Sequence, residues 1–230
     1  MPFAAPGQTI VTRGGRRVVI GSVASAGGQQ LFLASGSFVV PAGVTSMCFG
    51  QVTRGGDAIN DGTDMQSGAG GASNWINVVA TTPGETLSIV MPTTAGADCG
   101  VQRGATWLVR AKNAATFNTP GSVVTGSGFS GGVGVTTGSS PTDQLSGGGA
   151  ATGTGAGVAG AINTAGGVGG RGTSVIDFTT GSVPATNTGG TYGGGGGILT
   201  GLVLGVGASG ALRAMWGAGR AYPNTNTADV

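Results

Sequence analysis

The sequence predicts an all-β protein. A small antiparallel sheet or sandwich is followed by a glycine-rich region of extended, polyglycine-like segments and then a closing strand. Three observations carry this reading. Glycine supplies 52 of the 230 residues, and 33 of the 52 lie beyond residue 119. Residues that favour helix surfaces are nearly absent, since Lys112 is the only Lys and Glu85 the only Glu. Short runs of Val, Thr, Ser and Asn alternate in the first half, which is a strand-and-loop vocabulary. Each glycine loses more backbone freedom on folding than any other residue. Such a chain therefore requires a repetitive backbone arrangement or support from copies of itself. Disorder fits poorly, because only 8% of residues are charged while 39% are hydrophobic.

Residues 1–30 read as an extended docking arm punctuated by Pro2, Pro6, Gly7, Gly14 and Gly15, with one short strand at 16–20. Its cations Arg13, Arg16 and Arg17 are candidates for anchoring to an acidic surface; equally, they keep a terminal arm soluble. The apolar run at 18–23 is shorter than the roughly 7–15 residues of a signal peptide, and Met1-Pro2-Phe3 carries no charged side chain. Cleavage after Ala26 is therefore not expected.

Residues 31–112 form the β domain. A strand at 38–40 ends at Pro41-Ala42-Gly43, a turn signal. From Val44 to Val52 the pattern alternates, with Val44, Ser46, Cys48 and Gly50 on one face and Thr45, Met47 and Phe49 on the other. Residues 53–73 read as a polar glycine-rich loop, and 75–80 as a strand. Pro83-Gly84 suits a type II turn. Leu87, Ile89 and Met91 then alternate with Thr86, Ser88 and Val90, and Trp107, Val109 and Ala111 alternate with Leu108, Arg110 and Lys112. Trp75, Trp107 and Trp216 all fall in strand-like stretches and are expected in the core.

Residues 113–230 form the glycine-rich domain with its C-terminal strand and tail. Only Asp143, Arg171 and Asp177 carry charge between 113 and 197. Glycine spacing is not a strict triplet, which excludes a collagen helix. Closely stacked extended segments, in which glycine lets backbones approach, satisfy the pattern. Residues 198–206 alternate as a strand, and Leu212, Ala214 and Trp216 continue into the closing strand. No stretch is long and apolar enough to be read as a membrane helix.

The chemistry available is narrow. The chain has no His, so triads that need one cannot be built. Catalytic residues, cofactor and metal are all expected to be absent. Gly205-Val-Gly207-Ala-Ser-Gly210 matches a dinucleotide fingerprint, but only 20 residues follow Gly210, too few for the second half of the unit. The loop Asp57 to Asp64 resembles a calcium loop superficially; Ile59 and Gly68 stand where ligands are required, and a solvated turn reads better. Cys48 and Cys99 are two buried small hydrophobes or a bridge across the β core. A net charge of +2 gives no field for nucleic acid. Phe129 and Tyr192 stand alone among small residues. Each is either a local packing anchor or an exposed contact for a sugar or a protein, and both are the candidate receptor contacts.

Four stretches resemble the glycine-rich domain of bacteriophage tail-fibre and related virion proteins. Residues 37–46 read Ser-Phe-Val-Val-Pro-Ala-Gly-Val-Thr-Ser, and residues 80–90 read Ala-Thr-Thr-Pro-Gly-Glu-Thr-Leu-Ser-Ile-Val. Residues 103–112 read Arg-Gly-Ala-Thr-Trp-Leu-Val-Arg-Ala-Lys. The most specific is 210–229, Gly-Ala-Leu-Arg-Ala-Met-Trp-Gly-Ala-Gly-Arg-Ala-Tyr-Pro-Asn-Thr-Asn-Thr-Ala-Asp, similar to the ending of many phage structural proteins. The regions they bracket cover about half the chain. In that family the second strand usually enters a nearly pure glycine tract; here Arg54, Asp57, Asp61 and Asp64 interrupt it. The resemblance implies a non-enzymatic virion component of the fibre, tip or baseplate type. It would be present in several copies, with a host surface glycan or protein and other virion proteins as partners. A homo-oligomer is also expected from the small side-chain volume available for burial, with a trimer the favoured state. A capsid or neck cement protein, or a secreted bacterial surface protein, are the alternative readings.

Overall fold

The computed structural model describes residues 9–13, 16–20, 27–138, 142–163, 169–173, 181 and 184–223. The described residues contain strands, turns and extended segments and no helix. The strands in chain order are β1 (Thr9–Arg13), β2 (Arg16–Ile20), β3 (Gly28–Phe32), β4 (Gly36–Val39), β5 (Ser46–Val52), β6 (Ile59–Asn60) and β7 (Asp64–Gln66). Then come β8 (Ser73–Ala80), β9 (Thr86–Val90), β10 (Asp98–Arg103), β11 (Thr106–Lys112), β12 (Ser122–Thr125) and β13 (Ser127–Phe129). The last are β14 (Thr136–Gly138), β15 (Gln144–Leu145), β16 (Ile162–Asn163), β17 (Ile198–Leu199), β18 (Val203–Leu204) and β19 (Ala211–Trp216).

Two five-stranded antiparallel sheets form a sandwich, in the orders β12-β11-β10-β9-β4 and β13-β8-β5-β19-β3. The alternation in the sequence decides which side chains meet between them. Phe38, Leu87, Ile89, Val101 and Val109 of the first sheet pack on Met47, Phe49, Val79, Leu212 and Ala214 of the second. Burial of a large apolar side chain stabilises by about 1.5–3 kcal/mol, and these residues are nearly inaccessible. The outer face of the second sheet carries a second cluster, in which Cys48, Val52, Trp75, Ala211 and Met215 meet Ala150 and Tyr222. The closing strand is thus not at an edge. β19 lies between β5 and β3.

Three elements differ from the sequence expectation. The arm contains a hairpin, in which Thr9 pairs with Ile20 and Arg13 with Arg16, rather than a lone strand at 16–20. Residues 198–206 do not form one strand; β17 and β18 pair across a tight turn in which Gly201 and Leu202 have φ of 82° and 63°. Residues 53–73 are not a solvated loop. Apart from the short β6–β7 hairpin, they are largely buried backbone.

That buried backbone belongs to a stack. Four strands of the second sheet, β13, β8, β5 and β19, connect directly to extended segments 130–135, 67–72, 53–58 and 205–209. The segments keep the strands' lateral order: Gly70 donates to Gly132, Gly56 to Ala69, and Gly55 to Ala208. Beneath this first tier lies a second, 156–161, 146–151, 193–197 and 186–190, linked by bonds such as Gly149 N to Val158 O and Gly194 N to Gly190 O. Segment 169–173 forms part of a third tier, where Ala150 donates to Arg171 and Gly170 to Gly195.

Candidate functional site

The centre of the stack is the run Gly193 to Gly197, every residue of which is buried. It is hydrogen-bonded to six segments. Gly196 donates to Gly56, Gly195 to Gly148 and Gly194 to Gly190, while Gly68, Gly170 and Ala208 donate to Gly196, Gly195 and Gly194. Those six segments also bond to one another around the ring: 53–58 to 67–72, 67–72 to 146–151, 146–151 to 169–173, 169–173 to 186–190, 186–190 to 205–209, and 205–209 to 53–58. A flat sheet gives a strand only two neighbours. Here bonds radiate in all directions, and on 67–72 a given neighbour returns every third residue. Ser67 and Gly70 donate to 130–135, and Gly68 and Gly71 to 193–197. Three residues per turn is the repeat of an extended polyproline-type chain, whose backbone groups point outward. At most of the stack's interior glycines such packing leaves no room for a Cβ atom. One built on Gly195 would lie 2.6 Å from the Gly68 carbonyl carbon and closer still to its oxygen.

Side chains enter this region as clamps. Buried Asn113 accepts from the Arg54 N–H at 3.0 Å and donates through Nδ2 to the carbonyls of Pro92 and Thr94 at 2.8 and 2.9 Å. Asp57 accepts from the Arg54 guanidinium at 2.5 Å and from the Gly207 N–H at 2.9 Å. The Asp61 carboxylate caps its own turn by accepting from the N–H groups of Thr63 and Asp64, and these bonds hold its pKa below the usual value. Among the described residues, no group of three or more His, Cys, Asp or Glu is placed to hold a metal ion.

Phe129 lies at the end of β13 opposite Ser73, its ring 6.2 Å from that of Trp75, and 36% of its surface is accessible. Tyr192 is half-buried against the cluster that contains Trp75 and Tyr222, and its backbone exchanges hydrogen bonds with Thr173. The structure therefore ties both aromatics to one apolar cluster at the junction of sheet and stack. The register sets Arg13 opposite Arg16 and Arg17 opposite Thr12 in the β1–β2 hairpin. The side chains of these arginines lie outside the described residues, as do the Ala24-Ser25-Ala26 stretch and the tail from 224 onward. Trp75 is buried and Trp216 packs against the main core. Trp107 is half-buried, with the Arg110 guanidinium 5.5 Å above its ring.

Both cysteines are free and buried. Cys99 lies in the main core, where burial pushes its thiol up to about 12. Cys48 faces the other side of its sheet, and burial raises its pKa too. Gly205, Gly207 and Gly210 of the dinucleotide-like motif sit within or beside the stack; a Cβ on Gly207 would overlap the carbonyls of Gly55 and Gly56. Among the described residues no helix follows them.

Two surface concavities among the described residues reach about 220 Å³ or more. One, of about 390 Å³, opens at the end of the second sheet between Val44, Met47, Val78, Trp216 and Arg220. Val78 there is 77% exposed with φ of 57°, a conformation rarely adopted by β-branched residues. It sits at a register shift in β8, beside Asn77, which pairs with both backbone groups of Tyr222 at 2.8 Å. The other, of about 220 Å³, is a groove in the stack walled by 156–159 and 169–171 over a floor at 146–152. Sequence reading missed this groove, because its lining is mostly glycine and alanine and carries no hydropathic signal.

No helix among the described residues is long and apolar enough to cross a membrane. No protein-family model matches the chain, and no curated protein is similar to it.

Proposed function

We propose that this chain is a non-enzymatic structural protein of a bacteriophage particle, of the tail-fibre, tip or baseplate type. In this reading the glycine stack carries the surface that meets the host, and several copies assemble together. The observation that supports it is the joining of the glycine stack to the four phage-like stretches. Residues 37–46, 80–90, 103–112 and 210–216 all contribute to the sandwich, and β5 and β19 connect directly to the stack. A stack whose interior is mainly backbone, with small buried side chains such as Thr53, Ser67 and Ala69, offers no strong acid or base for catalysis. Its surface instead presents a shape held by many hydrogen bonds, which suits recognition. Labelled electron microscopy of purified particles tests this. The protein is expected at the tail in multiple copies, and the purified protein is expected to slow adsorption of those particles to host cells. Absence from particles would refute the reading, and a shell or neck position would select the cement alternative.

A further inference from the structure

The groove over Gly149 is a vacant position in the packing. Segment 193–197 shows the full arrangement, six bonded neighbours in a closed ring. Among the described residues, segment 146–151 has five: 67–72, 130–135, 156–161, 169–173 and 193–197. Successive neighbours around it bond to each other, except 156–161 and 169–173, between which no bond is found among the described residues. The groove opens between those two segments. Its floor residue, Gly149, differs from the interior glycines. A Cβ there would meet the Val158 backbone at 3.5 Å and the Arg171 Cβ at 3.8 Å, ordinary contacts with both walls. Val158 is 75% exposed on one wall. Arg171 on the other is exposed, donates to the Gly181 carbonyl at 3.4 Å, and has no carboxylate in ion-pair range among the described residues.

We propose that this groove binds an extended peptide segment of a partner protein. The segment would place a small residue over Gly149 and a carboxylate on the Arg171 guanidinium. The vacancy has the outline of one extended chain, because its boundaries are such chains. A close-packed occupant must be Gly or Ala where it meets the floor, because segments packed this closely leave space for at most a methyl group, as at buried Ala69 and Ala151. An exposed cation at the wall selects an acidic residue, since charge-assisted bonds to Arg are the stronger kind. This inference rests on the geometry of the stack and not on the particle assignment.

The test uses end-blocked, fluorescently labelled Ala-Gly-Gly-Asp-Gly-Gly-Ala and its Lys-containing counterpart, titrated with the full chain and followed by anisotropy. The Asp peptide is expected to bind saturably and the Lys peptide at least about tenfold more weakly. Gly149→Ala fills the groove with a methyl group that contacts both walls without overlap. It should fold as the wild type does and bind the Asp peptide at least about tenfold more weakly. Arg171→Gln should erase the difference between the two peptides. No saturable binding by the folded wild-type chain, or binding unchanged in Gly149→Ala, would overturn the proposal. Self-association of the wild type that Gly149→Ala abolishes would also overturn it, by identifying a second copy as the occupant.

Discussion

Replacing Gly195 by Ala tests the stack at its centre. The added Cβ would overlap the Gly68 carbonyl and lie 2.8 Å from the Ala69 oxygen. Both obstacles are backbone atoms held by their own bonds, so neither can rotate aside. Relief requires segment 193–197 to move away from 67–72. That stretches the bonds from Gly68 to Gly196 and from Gly71 to Gly193, now 2.8 and 2.7 Å. Each buried group left unpaired costs about 1–3 kcal/mol, so two such bonds place the loss at about 2–6 kcal/mol. Domains are typically stable by about 5–15 kcal/mol, so the variant is expected to fold marginally. For a chain of this size each kcal/mol moves the thermal midpoint by about 2–4 °C, a fall of roughly 4–24 °C. Urea and thermal unfolding followed by far-UV circular dichroism measure the loss and the fall, with Gly149→Ala as the control. In the control a methyl makes only ordinary contacts, and the unfolded chain loses freedom, so stability should hold or rise by about 0.4–1 kcal/mol. A Gly195→Ala variant within about 0.5 kcal/mol of wild type would refute close packing at the stack's centre.

Other consequences are measurable in the same way. Asn113→Ala leaves the Arg54 N–H and the Pro92 and Thr94 carbonyls without their partner, and a loss of about 3 kcal/mol or more is expected; a change below about 1 kcal/mol would show that the clamp is dispensable. Bonds from Arg103 and Arg110 hold the Glu85 and Asp98 carboxyls below their ordinary 4.5 and 3.8. Their stabilisation is complete above those values and lost as pH falls through the lower folded pKa. The urea midpoint should therefore decline below about pH 4.5, by less than about 1 kcal/mol per pair because both are near the surface. Arg103→Gln should flatten the Glu85 part, and an unchanged profile would exclude the pair. At pH 8 neither Cys48 nor Cys99 should react with a thiol reagent in minutes while the protein is folded, and both should react in denaturant. Phe49→Ala, at a fully buried core position, should cost about 3–5 kcal/mol. It should lower amide-exchange protection of Gly195 and of Leu212 by the same factor, whereas protection lost only at Leu212 would show that stack and sandwich unfold separately.

Much of the sandwich was legible because side chains write it. The alternation from Ser46 to Val52 sent Met47 and Phe49 to one cluster and Cys48 to the other, whereas Val44, which lies ahead of the strand, packs with Met47 and Phe49 instead of on the Cys48 face where the pattern set it. β10 escaped notice because Asp98-Cys-Gly-Val-Gln-Arg103 does not alternate cleanly. Its Gly100, at φ of 147°, is placed where a Cβ would strike the Val109 carbonyl. The turn inside 198–206 was hidden because Leu202, at positive φ, preserves the apolar alternation it interrupts. Residues 53–58 and 67–72 read as a loop because hydropathy reports side-chain transfer, and these segments are buried through backbone bonds to partners far along the chain. Gly68 bonds to Gly196 and Gly148, more than 70 residues away in each case. Nothing local in the sequence encodes such pairings, and the role of Arg171 at the groove depends entirely on them.

Ordering a residue costs about 1–2 kcal/mol in backbone entropy, and glycine costs the most, so a stack of glycine segments needs a reason to form. The sandwich supplies it. β13, β8, β5 and β19 are aligned by a conventional apolar core, and the segments joined to them are already adjacent, alternating in direction as the strands do, and in register at one end. The first tier therefore requires little further search. Each later tier settles into a groove between two ordered backbones and gains bonds in several directions at once, in a low-dielectric interior where hydrogen bonds strengthen one another. Stability in such a structure flows from the side-chain core outward, and it falls at the margin, where a segment has neighbours on one side only. The stack's growth from the sheet thus leaves its unfilled positions on the tier farthest from the sandwich. The groove opens there, between Gly149 and Val158 of the second tier and Arg171 of the third, and there a partner chain would continue the packing that this chain begins.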